Sequence, residues 1–167
     1  KNVNDTWTKV GGDIDGEAAG DNSGTSVSLS SDGSVVAIGA VYNDGNGDFS
    51  GHVRIYKNVN DNWTKIGGDI DGEAAEDLSG NSISLSSDGS VVAIGAYGND
   101  ENGNISGHVR IYKNINNTWT QVGSDIDGEA AEDYSGNSIS LSSDGKAVAI
   151  GAFGNDGSEP NSGHAQI

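Results

Sequence analysis

Hydrophobic and polar positions alternate in short runs along this chain, and the same runs return three times. In the second round Ile83 and Leu85 alternate with Ser82, Ser84 and Ser86, the period-two pattern of a strand with one face buried. Four strands are predicted for that round: Asn62–Ile66, Ser82–Ser86, Val91–Ala96 and His108–Lys113. Ser87-Asp88-Gly89-Ser90 separates the second strand from the third, and Asp-Gly between two alternating runs predicts a type I′ hairpin turn. Asn58-Val59-Asn60-Asp61 turns the chain from the HVRIYK strand into the NWTKI strand. No apolar stretch at helical spacing is long enough for a helix.

Lys1, Lys57 and Lys113 open the same phrase, so the copies run over 1–56, 57–112 and 113–167, the last one residue short. They align without an insertion. Four antiparallel strands in a repeat of this length describe a propeller blade, so the expected fold is all-β: a β-propeller of four-stranded antiparallel blades, three per chain. Propellers close with about four or more blades, so three leave the ring open. The chain starts on a Trp strand and ends on the strand His164–Ile167, and each is expected to lack its hairpin partner. Another chain or a longer array would then complete a ring or a filament, with self-association as the expected partnership.

The repeat phrase WTKIGGDIDGEAAEDLSGNSISLSSDGSVVAIGAYGNDENGNISGHVRIYK resembles the FG-GAP repeats, the blades of the integrin α-subunit propeller and its microbial and algal relatives. The points of contact are Asp77 to Ser82, the hydrophobic run into Gly95-Ala96, and SGHVRIY ahead of the Trp strand. Ser79 stands where the family's Phe would be and Tyr97 where its Pro would be; Ser87-Asp88-Gly89 is shorter than the family's calcium loop. The resemblance implies a propeller and an extracellular or cell-surface module for adhesion and ligand binding. It does not carry over the family's metal site.

Composition narrows the partners. Asp and Glu total 25 against 8 Lys and Arg, a formal charge of −17, which repels nucleic acid and anionic membrane. No run is apolar enough to insert in a membrane, and without Cys there is no disulfide or thiolate site. No asymmetric catalytic constellation stands apart from the repeat, so no enzyme is expected.

The loop after VAIGA carries oxygen side chains at alternate positions: Asp44, Asn46 and Asp48 in the first copy, Asp100, Asn102 and Asn104 in the second. Such a set can wrap Ca²⁺, and the same residue types also dominate ordinary turns; both readings stand. The third copy, Asp156-Gly157-Ser158-Glu159-Pro160, breaks the pattern. The acidic phrase recurring at Asp13–Asp21, Asp69–Asp77 and Asp125–Asp133 either solvates a connector between blades or coordinates a cation. His52, His108 and His164 share one position at a strand start; none has a second His or carboxylate at metal spacing in the sequence, which predicts a hydrogen-bonding role. Trp7, Trp63 and Trp119 are candidates for packing between blades or, on a lectin-like surface, for stacking on a glycan or protein ligand. Sequons at Asn4, Asn62, Asn104 and Asn116 permit N-glycosylation, in a number that chance gives in a chain this rich in Asn, Ser and Thr.

Overall fold

The computed structural model describes residues 1–167 and is all-β. Its first complete sheet contains β3 (Ser23–Leu29), β4 (Val35–Ala40), β5 (His52–Val59) and β6 (Asn62–Lys65), paired antiparallel in that order. A two-residue strand, β7 (Ile70–Asp71), returns to the start of β5, pairing His52 with Asp71. The second sheet repeats the plan with β8 (Ser82–Leu85), β9 (Val91–Ala96), β10 (His108–Ile115), β11 (Thr118–Gln121) and β12 (Ile126–Asp127). A third sheet has three strands, β13 (Ser138–Leu141), β14 (Val148–Ala152) and β15 (His164–Gln166). Ahead of them all stands a small hairpin, β1 (Asn2–Val3) with β2 (Thr6–Trp7).

That hairpin corrects one expectation. The first Trp strand does have a partner, because Lys1-Asn2-Val3 is the tail of a strand of the β5 type. A copy counted from Lys57 or Lys113 begins inside β5 or β10, so the sequence period and the sheets are out of phase. Two-residue turns at Asn4-Asp5, Asn60-Asp61 and Asn116-Asn117 close the Trp hairpins, with both central residues at positive φ as a type I′ turn requires. The Asn two residues earlier fastens each: Asn58 Oδ1 accepts from Asp61 N at 3.0 Å.

The Asp-Gly turn departs from the expected type I′. At Ser87-Asp88-Gly89-Ser90 only Gly89 has positive φ, and Gly89 N bonds back to Ser86 O. Asp88 acts as a clasp instead: its Oδ1 accepts from Ser86 Oγ at 2.8 Å and Ser90 N at 2.9 Å. The same clasp lowers the Asp32 carboxyl to about 2, first through the backbone N–H of Ser34.

The sheets stack face to face. Val35, Ala37, Val53 and Ile55 of the first pack against Leu85, Val92 and Ile94 of the second, forming the main core with Ile70 and Tyr112. Ala93 and Val109 of the second sheet meet Ile150 of the third in a smaller repetition. The serines of the alternating strands, which looked like a polar outer face, cross this junction. Ser28 Oγ accepts from Leu85 N at 3.0 Å, and Ser84 Oγ from Leu141 N at 2.9 Å. Ser26 Oγ donates to Gly80 O and Ser82 Oγ to Gly136 O, both at 2.6 Å.

At these points backbone meets backbone: a β-carbon on Gly39 would land on the Gly80 carbonyl oxygen, and one on Gly95 on that of Gly136. Gly95→Ala is therefore expected to force the sheets apart and to cost about 3 kcal/mol, read as a lowered denaturant midpoint. Gly68→Ala, where nothing lies within 4 Å, should stay within about 0.5 kcal/mol of the parent.

Candidate functional site

The acidic phrase and the Asn/Asp loop form one network. The last Asp of each phrase is buried and accepts from the connector and the loop together. Asp77 takes Ala74 N at 3.0 Å on Oδ2 and Asn99 Nδ2 at 3.2 Å on Oδ1. Asp21 pairs with Asn43, and Asp133 with Asn155, in the same way.

The residues predicted to wrap calcium are engaged in holding the loop. Asp44 Oδ1 accepts from Phe49 N at 2.8 Å, and Asp100 caps Ile105 N at 2.6 Å. Asn46 Nδ2 donates to the carbonyls of Gly72 and Glu73, and Asn102 does the same to Gly128 and Glu129. Asp48 and Asn104 accept through their backbone oxygens from Glu76 N and Glu132 N. The third loop, divergent in sequence, keeps the clasp, with Asp156 Oδ1 accepting from Asn161 N at 2.7 Å.

The Trp side chains link successive units. Trp63 Nε1 donates to Val10 O at 3.0 Å and Trp119 Nε1 to Ile66 O at 2.8 Å, each across 53 residues of chain. Trp7 has no such acceptor and is 79% exposed. Asn4, Asn62, Asn104 and Asn116 all lie exposed.

The histidines gather what the sequence keeps far apart. Pairing of β5 with β7 and of β10 with β12 folds each acidic connector back over the start of the central strand. His108 Nδ1 lies 3.8 Å from Glu73 Oε2 and 3.8 Å from Asp125 Oδ2. Glu101, from the loop after β9, completes a set whose donor atoms all lie within 4.8 Å of one another. His52 is placed equivalently, 4.0 Å from both Glu17 and Asp71, with Asp69 in the same cluster. His164 has Glu129 at 3.9 Å.

His52 is 2% exposed and His108 fully buried, and neither ring nitrogen of His108 has a hydrogen-bond partner. Burial, reinforced by the adjacent arginine (Arg54 or Arg110), lowers the pKa of each imidazole and favours its neutral form. Glu73 is shifted the other way, upward, by burial and by the neighbouring Asp125, against the pull of Arg110.

No protein-family model matches the chain, and no curated protein matches it. Among solved structures it is similar in fold to Kuenenia stuttgartiensis hydrazine synthase. The match has a TM-score of 0.50 at 15% identity over 86% of this chain, and the chain spans 33% of that protein's length. At this identity the likeness concerns the fold and transfers no activity.

The buried histidines set a pH dependence. Their pKa values are lower in the folded chain than the ordinary 6.5, so the unfolded chain binds protons first as pH falls. Arg110, Glu73, Glu101, Asp125, Asp77 and Asp127 are the charged groups around His108. Stability should be flat well above the ordinary histidine value of 6.5 and fall as acidification passes through it. Glu73 opposes this, since its raised pKa makes the folded chain take up a proton above the ordinary carboxylate range. Denaturant midpoints across this range check the slope, which should shrink in His108→Asn.

Proposed function

We propose that this chain is a non-enzymatic segment of a β-propeller of the FG-GAP type, a structural or adhesive module outside the cell. In this reading its repeats stack through their sheet faces and join head to tail with a second copy. The observation that carries it is an uncovered strand face. In β8 the apolar positions face the preceding sheet, and Leu85 is 7% exposed; in β3, which is oriented alike with Ser26 and Ser28 reaching the next sheet, the equivalent Leu29 is 59% exposed. A strand that turns its apolar side to water and its serines to the core is the receiving half of an interface.

The rest of that end agrees. β1 and β2 occupy the outer-strand position relative to the first sheet that the end of β5 and β6 occupy relative to the second, as the Trp63 and Trp119 bonds indicate. Beside them lies a trough of about 680 Å³ lined by Trp7, Val10, Leu29 and Trp63. At the other end β15 lacks an outer partner, and its continuation in the repeat is the Lys-Asn-Val phrase of β1. The third sheet of one chain and the hairpin of the next therefore make one complete sheet. Trp7 then has its acceptor at the exposed Val122, the residue one period beyond Ile66.

A second reading, a ligand-binding propeller, has one observation in its favour. On the loop face Tyr42 packs edge-on against Phe49 at 5.2 Å, and both line a groove of about 340 Å³ with Leu78, Tyr97 and Ile105. Apolar walls with a few polar groups suit a glycan or peptide. A glycan array with Tyr42→Ala as control checks it; capture lost in that variant favours this function.

Light scattering at rising concentration tests assembly. The parent should form multiples of the monomer, discrete for a ring and polydisperse for a filament. Leu29→Glu and Trp7→Ala should weaken association at least tenfold, while circular dichroism stays that of the parent. A parent that stays monomeric throughout sinks the proposal.

A further inference from the structure

We infer that Glu73, Glu101, His108 and Asp125 form a binding site for one divalent transition-metal ion of the zinc class. The acidic cluster alone would not argue this; the imidazole does. His108 is completely buried, yet its Nδ1 has no hydrogen-bond partner and faces a carboxylate oxygen of Glu73 and one of Asp125, each at 3.8 Å. A buried ring nitrogen without a partner is costly to keep. An ion between the three donors would satisfy it.

The carboxylates are oriented for this. Glu73 gives Oε1 to Arg110 Nη1 at 3.2 Å and turns Oε2 to the imidazole. Asp125 gives Oδ1 to Gln121 Nε2 and turns Oδ2 to it. Each has one oxygen held by a protein donor and the other free, the outer support that metal ligands commonly have. Donors around a tetrahedral zinc ion sit roughly 3.4 Å apart, given bonds of about 2.0–2.2 Å, so the two His108 pairs at 3.8 Å need a closure of a few tenths of an ångström, and the rest of the set, within 4.8 Å, needs side-chain rotation to close. Exposed Glu73 and Glu101 open the site to solvent for entry. The imidazole nitrogen distinguishes it from an all-oxygen calcium site.

The first repeat supplies an internal comparison. There the cluster is Glu17, His52 and Asp69, Gly45 stands in place of Glu101, and the Lys65 ammonium holds Asp69 at 2.8 Å. One carboxylate is gone and a fixed cation competes, where the second repeat has the neutral Gln121. The third repeat brings Glu129 to His164, and Gly157 stands in place of Glu101. One tight site per chain follows. Its ligands come from the connector entering the second sheet, the loop and strand within it, and the connector leaving it, so the ion would staple three successive segments.

Calorimetric titration of the chelator-treated chain with Zn²⁺ tests this, with Ca²⁺ run in parallel and Co²⁺ absorption reporting the ligand field. The expected result is one equivalent of Zn²⁺, a raised Tm and a nitrogen-containing Co²⁺ spectrum. Binding should weaken at least tenfold in Glu101→Gln and further in Asp125→Asn, both at positions that leave the core intact. Introducing Gly45→Glu with Lys65→Gln should create a second equivalent. Absent Zn²⁺ uptake, uptake indifferent to Glu101→Gln and Asp125→Asn, or equal uptake of Ca²⁺ would overturn the assignment.

Discussion

Direct contact between the backbones of neighbouring sheets is the constraint from which the remaining structure follows. Gly39 rests on the Gly80 carbonyl and Gly95 on that of Gly136, with no side chain between them. At that separation a serine hydroxyl is long enough to reach the next sheet, and a leucine at the neighbouring position fills the layer beside it. Away from the glycines, the indoles of Trp63 and Trp119 bridge successive units through their bonds to Val10 O and Ile66 O.

The same contact governs the connectors. Each acidic phrase leaves the outer edge of one sheet and must reach the first strand of the next. It does so by pairing two residues with the central strand and ending on a buried Asp held by the Asn of the following loop. Carboxylates are thereby brought close to a buried histidine in a chain that already carries a large negative charge. Arg110 and Arg54 offset part of that repulsion; both lie buried against a connector carbonyl, Asp71 O and Asp15 O. A bound cation would offset more, so assembly and metal loading need not be independent properties.

Departures from the repeat consensus have local physical reasons. Ser79, where the resembling family has Phe, is fully buried, its N–H donates to Ser50 O at 3.0 Å, and a β-carbon on Gly72 would lie 3.2 Å from its own. An aromatic ring has no room there. In the third copy Ala147 and Ala165 replace the valines that form the receiving core in the first two, which leaves a shallower outer face on that sheet. Terminal repeats that differ from the interior ones are expected wherever a stack of repeats ends or changes partner.

Period-two alternation and a period of 56, read from Lys1, Lys57 and Lys113, were enough to place the main strands of the repeat and to call the chain all-β, because both are local properties of spacing. The turns were half legible. Asn60-Asp61 makes the I′ hairpin, while Asp88-Gly89 was misread, because a side-chain clasp from Ser86 overrode the dipeptide preference. The exposed pattern of β3 could not be read at all: Val27 and Leu29 have the same letters around them as Ile83 and Leu85, and only the presence or absence of a neighbouring sheet separates them. The histidine site was hidden for a related reason. Two of its carboxylates, Glu73 and Asp125, lie 35 residues before and 17 after His108 along the chain, and the short β12 pairing that brings Asp125 back has no hydrophobic period to announce it. Sequence determined what each repeat is, since that depends on neighbours along the chain; tertiary structure decided which faces meet and which charges converge, since that depends on neighbours in space.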